Sequence, residues 1–351
     1  MPSTIQTLVN ALHYAPSADN SQPWHLTWDK NFLSISYDSK RVAGNTFPAS
    51  HPATLLTMGA CLENLRQVVE VLDIDFKYTL PTKLDISNPI YFQLPIEKSK
   101  LNTDIQVEKL PLYERHTNRL PYLEKPLPAD LIRVLKKLTV GSARAVFFEA
   151  SPEIRKISEL VQKASEIRFR TREINEWLGK SLRFKDTPGE KNDGLDIDTL
   201  DLPPGGAAFL RLIGNWRIMK FLNLFGAYKV MSFADAQPIR KAPGVIAVIS
   251  PIGFQDVISA GQLMNRIWID LNANGLAVQP YYVVADQLYR FQKGVIPDGL
   301  EEQAKLISEA TNKLLQLQNG EALQMLFRVG YPAKKPVKSK RISIEKIYTE
   351  T

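Results

Sequence analysis

The chain of 351 residues holds a single cysteine, Cys61. That excludes an intramolecular disulfide and every multi-thiolate metal or iron–sulfur site, and it fits a reducing compartment, so the expected location is the cytoplasm. The four histidines, His13, His25, His51 and His116, lack metal-ligand spacing, so no metal is expected. Neither Gly-x-Gly-x-x-Gly nor Gly-x-x-x-x-Gly-Lys-Ser/Thr occurs, which removes the sequence support for a dinucleotide fold or a P-loop. Gly-x-Ser-x-Gly is missing too, and with it the usual mark of a serine hydrolase. No apolar run approaches the roughly 20 residues that span a bilayer, and the opening Met1-Pro2-Ser3-Thr4 has neither a basic nor an apolar leader region. No membrane partner is therefore expected. Runs of one charge are also scarce. Basic residues exceed acidic ones by seven, with a pI near 9.2, yet they are scattered. The nearest cluster is Lys334, Lys335, Lys338, Lys340 and Arg341, which suits a small phosphate ligand better than a nucleic acid.

What is present describes an ordinary globular chain, since 44% hydrophobic and 23% charged residues argue against long disorder. Trp24 to Trp28 and Phe32 to Tyr37 form an expected hairpin across Asp29-Lys30-Asn31. Leu55, Met58, Leu62, Leu65, Val69 and Leu72 recur at steps of three and four, predicting a helix from Thr54 to Leu72 in which Gly59 and Ala60 permit close packing. Phe76 to Leu80 then reads as a strand. A second unit repeats the plan, with strands at Ala145 to Phe148 and Gly244 to Ser250, and a helix from Ala260 to Asn274 capped at Gly275. A strand from Leu276 to Val284 is expected next. Within the second unit, Glu173 to Asp201 is charged and carries Pro188-Gly189 and Asn192-Asp193-Gly194, so it reads as a long insertion, and Phe209 to Phe233 is amphipathic. Glu173 to Phe233 is expected to form a lid.

The most informative string is Ala15-Pro16-Ser17-Ala18-Asp19-Asn20-Ser21-Gln22-Pro23-Trp24. Small and turn-forming residues let backbone approach a ligand, and the planar amides of Asn20 and Gln22 match a mixed donor and acceptor edge such as a flavin's. The string resembles the flavin-contacting loop of the nitroreductase family. Arg115-His116-Thr117-Asn118-Arg119 is similar to that family's Arg-Arg-Ser-x-Arg element, with His116 and Thr117 replacing Arg and Ser. Guanidinium forks suit phosphate. Gly261-Gln262 and Gly275-Leu276-Ala277-Val278-Gln279-Pro280 resemble the family's central helix and the segment after it. Phe327-Arg328-Val329-Gly330-Tyr331-Pro332, then Lys338-Ser339-Lys340-Arg341, resembles its last strand and basic tail. Residues 80 to 105 and the insertion carry no resemblance.

The order is unusual, because ordinary members carry the Arg element before the Pro-Ser loop and complete each site across a homodimer. Here the loop comes first. The resemblance is to the Acg-like branch, in which one chain imitates the dimer. It implies an α+β nitroreductase-like fold, a pseudo-dimeric single chain with mixed, mainly antiparallel sheets flanked by helices. Residues 1–105 would be a half supplying the loop, and 106–351 a half supplying the phosphate grip. The resemblance further implies FMN held by Pro16, Ser17, Ala18, Asn20, Gln22, Arg115, His116, Thr117, Arg119, Gln279, Pro280, Tyr281, Tyr282, Lys338, Ser339 and Arg341. In this reading the flavin performs the chemistry, with NADH or NADPH as reductant, a nitroaromatic or quinone as acceptor, and no catalytic side chain. The alternative is a flavin-sequestering protein whose lid covers the cofactor. The chain is expected to act as a monomer imitating a dimer, with further self-association left open.

Overall fold

The computed structural model describes residues 1–85, 87–102, 107–187 and 192–351, so the predicted Pro188-Gly189 turn lies outside the described residues. In chain order the helices are α1 (Ser3–His13), α2 (Pro52–Val71), α3 (Ala129–Leu135), α4 (Ser151–Arg168), α5 (Arg172–Ser181) and α6 (Gly206–Ile213). They continue as α7 (Trp216–Asn223), α8 (Ala227–Arg240), α9 (Phe254–Ala273), α10 (Val283–Gln292) and α11 (Glu301–Leu315). The strands are β1 (Trp24–Trp28), β2 (Phe32–Tyr37), β3 (Ile90–Pro95), β4 (Tyr122–Leu123), β5 (Arg144–Phe148) and β6 (Leu182–Arg183). After them come β7 (Leu195–Asp196), β8 (Gly244–Pro251), β9 (Ala277–Tyr281), β10 (Glu321–Pro332) and β11 (Tyr348–Glu350).

One sheet runs β11-β1-β2-β3 and a second runs β4-β10-β8-β5, with β9 also on β10. Every pairing in the two is antiparallel except β11 on β1, which sets Leu26 beside Tyr348. The architecture is therefore α+β with mainly antiparallel sheets, as expected. The basic tail leaves the second sheet after β10 and ends as a strand of the first, so its course ties the two together.

Between the sheets, α2 and α9 cross at the tightest contact in the core. A Cβ added to Gly59 would lie 2.0 Å from Ile258 O, and one added to Gly261 would lie 2.3 Å from Leu56 O. Absence of side chains at both positions is what lets two helix backbones touch. The seam is also polar: Asn265 Nδ2 donates to Ala60 O at 3.1 Å and to Asn64 Oδ1 at 2.8 Å, and Asn64 Nδ2 donates to Ala11 O. Fully buried Glu63 accepts from Arg66 on its own helix and Arg266 on the other, which compensates its desolvation. Trp24, Leu26, Met58, Leu62, Leu263, Ile267 and Phe327 all belong to one continuous hydrophobic cluster.

Two expectations fail locally. Phe76 to Leu80 is not a strand; only Thr79 bridges to Gln93, and β3 lies further on. Charged neighbours and Pro81 interrupt the first stretch, while Tyr91, Phe92 and Leu94 supply the buried side chains. The strand expected through Val284 stops at Tyr281, because Val283, Val284 and Leu288 recur at helical spacing and build α10. The amphipathic stretch Phe209 to Phe233 falls in three helices, broken at Gly214-Asn215 and at Gly226, whose φ is 82°.

Candidate functional site

The loop after α1 is bent by three left-handed residues that are not glycine: Asp19, Asn20 and Gln22, with φ of 51°, 53° and 49°. Asp and Asn accept that conformation at modest cost, and Gln less readily, so surrounding bonds must hold it. Arg41 supplies them. Its guanidinium donates to the carbonyls of Ser21, Gln22 and Trp24 while pairing with Asp38 at 3.2 Å. Ser17 Oγ accepts from Gln22 N at 2.9 Å, closing the turn from within.

This loop forms one wall of a cavity of about 840 Å³, within the usual range for a cofactor site. Every residue expected at the site lines it except Gln22: Pro16, Ser17, Ala18 and Asn20 meet Arg115, His116, Thr117 and Arg119, Gln279 to Tyr282, and Lys338, Ser339 and Arg341. Asn20 and Arg115 thus share a cavity at the seam of the two sheets. Met264 and Trp268 of α9 and Leu56 of α2 add apolar surface.

One end of the cavity is cationic. Arg115 is 8% exposed, its guanidinium stacks 4.6 Å from the Trp268 ring, and its Nη2 donates to Tyr14 O at 3.0 Å. Arg341 Nη2 reaches the same carbonyl at 3.3 Å, and its Nη1 donates to Asn20 Oδ1. Two guanidiniums therefore converge on one carbonyl, and among the described residues neither has a carboxylate within ion-pair distance. Burial, and then Arg341, holds the Arg115 pKa well below its ordinary value. Burial likewise lowers that of Arg341 to about 10. Arg115 Nε has no hydrogen-bond partner among the described residues. Like charges gathered out of water without counter-charge are costly, and an anion between them removes the cost. Lys338 stands nearby at the rim, 3.8 Å from Glu114.

The insertion also lines the cavity, contributing Asn175, Trp177, Leu178, Phe209 and Met231, with Phe169 just before it. It is bolted to the loop: Trp177 Nε1 donates to Asp19 Oδ2 at 2.8 Å, and Asn20 Nδ2 donates to Gly194 O at 3.1 Å. Burial raises the Asp19 pKa, partly offset by the indole bond and by Arg119.

Two expected contacts take a different form. The Asn20 amide is engaged by protein, since Nδ2 also donates to Lys340 O while Oδ1 accepts from Arg341. Gln22 is fully buried behind the wall, bridging Asn192 O and the Ile342 amide. Both side chains fasten the loop to the insertion and tail, two segments distant in sequence whose approach the string could not reveal. Gln279 Oε1 accepts from Arg328, and the His116 ring faces Glu114 O. Sequence reasoning missed Tyr14, Arg41, Asp19, Trp177 and Trp268. Asp19 sat inside the motif, but the others carry no local signal.

No protein-family model matches the chain. An uncharacterized protein of Mycobacterium tuberculosis (strain CDC 1551 / Oshkosh), MT1398, is 22% identical over 286 residues, covering 79% of this chain. This chain spans 38% of that relative's length. Among solved structures, iodotyrosine deiodinase bound to FMN and 3-iodo-L-tyrosine aligns with 66% of this chain and 94% of its own, at 15% identity and a TM-score of 0.37. The FMN-dependent nitroreductase NfnB from Mycobacterium smegmatis, in complex with NADPH, aligns with 67% of this chain and 94% of its own, at 12% identity and a TM-score of 0.38.

Proposed function

We propose that this chain is an FMN-binding oxidoreductase of the nitroreductase type, acting in the cytoplasm with NADH or NADPH as reductant and a nitroaromatic, quinone or similar acceptor. The observation that carries the reading is the pair Arg115 and Arg341, which converge on Tyr14 O at one end of a largely apolar cavity, neither with a carboxylate within ion-pair distance among the described residues. That donor set fits a phosphate monoester, and the apolar length beside it fits a flat ring system. Arg115, Arg341, Lys338 and Ser339 would hold the phosphate. Pro16 to Asn20 and the segment Gln279 to Tyr282 would bracket the ring. FMN, when bound, supplies hydride acceptance and electron transfer, so no side chain need act as nucleophile. The chain's part is to bind, orient and exclude water. The insertion's aromatic and aliphatic lining would keep solvent from the ring, and the loop holding left-handed Asp19 and Asn20 would stand beside it.

A second reading, flavin sequestration with little turnover, is favoured by one specific observation: the bonds from Asp19 and Asn20 hold the insertion against the cavity loop. Anaerobic mixing of the flavin-loaded protein with NADH or NADPH separates the two. Rapid bleaching of the flavin band is expected. A yellow band unchanged over many minutes would assign the chain to storage.

A further inference from the structure

The insertion has an inner face that lines the cavity and an outer face of a different kind. On α7 and its C-terminal cap, Arg217, Lys220, Phe221 and Leu224 fall at positions i, i+3, i+4 and i+7, which is one stripe of the helix. On α8, Lys229, Val230 and Phe233 occupy neighbouring turns, and the helix ends at Arg240 beside Lys241. Leu224 and Phe225 stand on the turn between the helices, each 77% exposed, with Val230 at 72%. Phe221 and Phe233 are more than half exposed as well. These side chains do not sit in a groove. They project.

Charge identifies what they meet. From Leu202 to Lys241 there are six basic residues and one acid, Asp235, which is turned inward to Arg168 and the cavity. Arg211 pairs with Asp186. The other five, Arg217, Lys220, Lys229, Arg240 and Lys241, are exposed, and none has a carboxylate within ion-pair distance among the described residues. A second copy of the same face would oppose cations to cations. Projecting apolar side chains interleaved with uncompensated lysine and arginine match the make-up of helices that lie in a membrane interface.

We propose that the outer face of α7 and α8 docks on an anionic lipid surface, with Leu224 and Phe225 entering the boundary between headgroups and acyl chains. The basic residues looked dispersed in the sequence because the face is assembled from separate short helices. It needs no spanning segment, and no helix among the described residues is long and apolar enough to cross a membrane. Docking is independent of flavin and so is read separately from it.

The test is co-sedimentation of the full chain with phosphatidylcholine vesicles, with and without phosphatidylserine. Partitioning is expected to rise at least about tenfold with the anionic lipid and to fall as salt screens the cations. The double substitution Leu224→Asp and Phe225→Asp should remove about tenfold or more of it. Val134→Asp, at an exposed apolar position on α3, should change nothing, and melting curves of all three proteins should coincide. Equal partitioning to both vesicle types, or binding unaffected by the double substitution, overturns the proposal. So does absence of vesicle binding together with a concentration-dependent dimer that the double substitution dissolves, which would give the face to a second copy.

Discussion

Arg115 and Arg341 are the residues on which the cofactor reading turns, and their chemistry sets a selective test. A charge-assisted bond to phosphate is worth roughly 1.5–3 kcal/mol. Replacing either with Ala should therefore raise the FMN dissociation constant about tenfold or more, while riboflavin, which lacks the phosphate, should bind nearly as before. Isothermal titration with both ligands checks this, and equal losses would place the two guanidiniums elsewhere. At the N-terminus of α2, His51 gives the fold a pH dependence. Its Nδ1 accepts from Ala53 N and caps α2, leaving the protonated Nε2 3.7 Å from Asp286 Oδ1. Arg290 pairs with the same carboxylate, and Tyr282 and Tyr289 pack against the ring. Burial, and then Arg290, pushes the His51 pKa down to about 3 from 6.5. A depressed folded value means that stability is full above pH 6.5 and declines as the pH falls toward 3. Denaturant melts should show His51→Asn, which retains a capping side chain, losing roughly 2 kcal/mol less than the native protein between pH 6.5 and 5. Parallel slopes would show that His51 does not carry the effect.

At the scale of elements, the crossing of α2 and α9 is the structural commitment most readily tested. Gly59→Ala places a methyl group against the backbone oxygen of Ile258, and backbone cannot rotate away as a side chain would. Overpacking of this kind costs ~3 kcal/mol, and urea denaturation should find a loss of about that size. A neutral result would mean that the helices separate freely. This helix pair was legible in sequence because a 3.6-residue period persists over five turns, and Gly59 stood out within it. β1 and β2 were legible for the same kind of reason, as a hairpin is local. The run from Leu276 to Val284 was misread because a short apolar stretch suits strand and helix alike, and only pairing of Ala277–Tyr281 with β10 decides where one gives way to the other. β3 was passed over because its partner, β2, lies more than 50 residues upstream.

At the scale of the whole molecule, one cavity receives the loop from the first part of the chain and the guanidiniums from the second. The proposed cofactor should therefore bind with a stoichiometry of one FMN per chain, read from the absorbance of flavin released by denaturation. Two per chain would refute a single shared site. The same assembly explains which parts of the site could be anticipated. The string Pro16 to Gln22, the Arg115 to Arg119 element and the basic tail announced themselves, because small residues, amides and clustered cations are local signals that survive in a linear reading. By itself the sequence determined the mainly antiparallel α+β plan, the two long helices and the identity of the polar groups available to a ligand. The tertiary structure decided how those groups are spent. Asn20 and Gln22 bind protein, and Trp177 reaches Asp19 from 158 residues away. The physical reason is that a side chain's type fixes what it can bond, whereas its partner is fixed by distances that exist only after the core has closed.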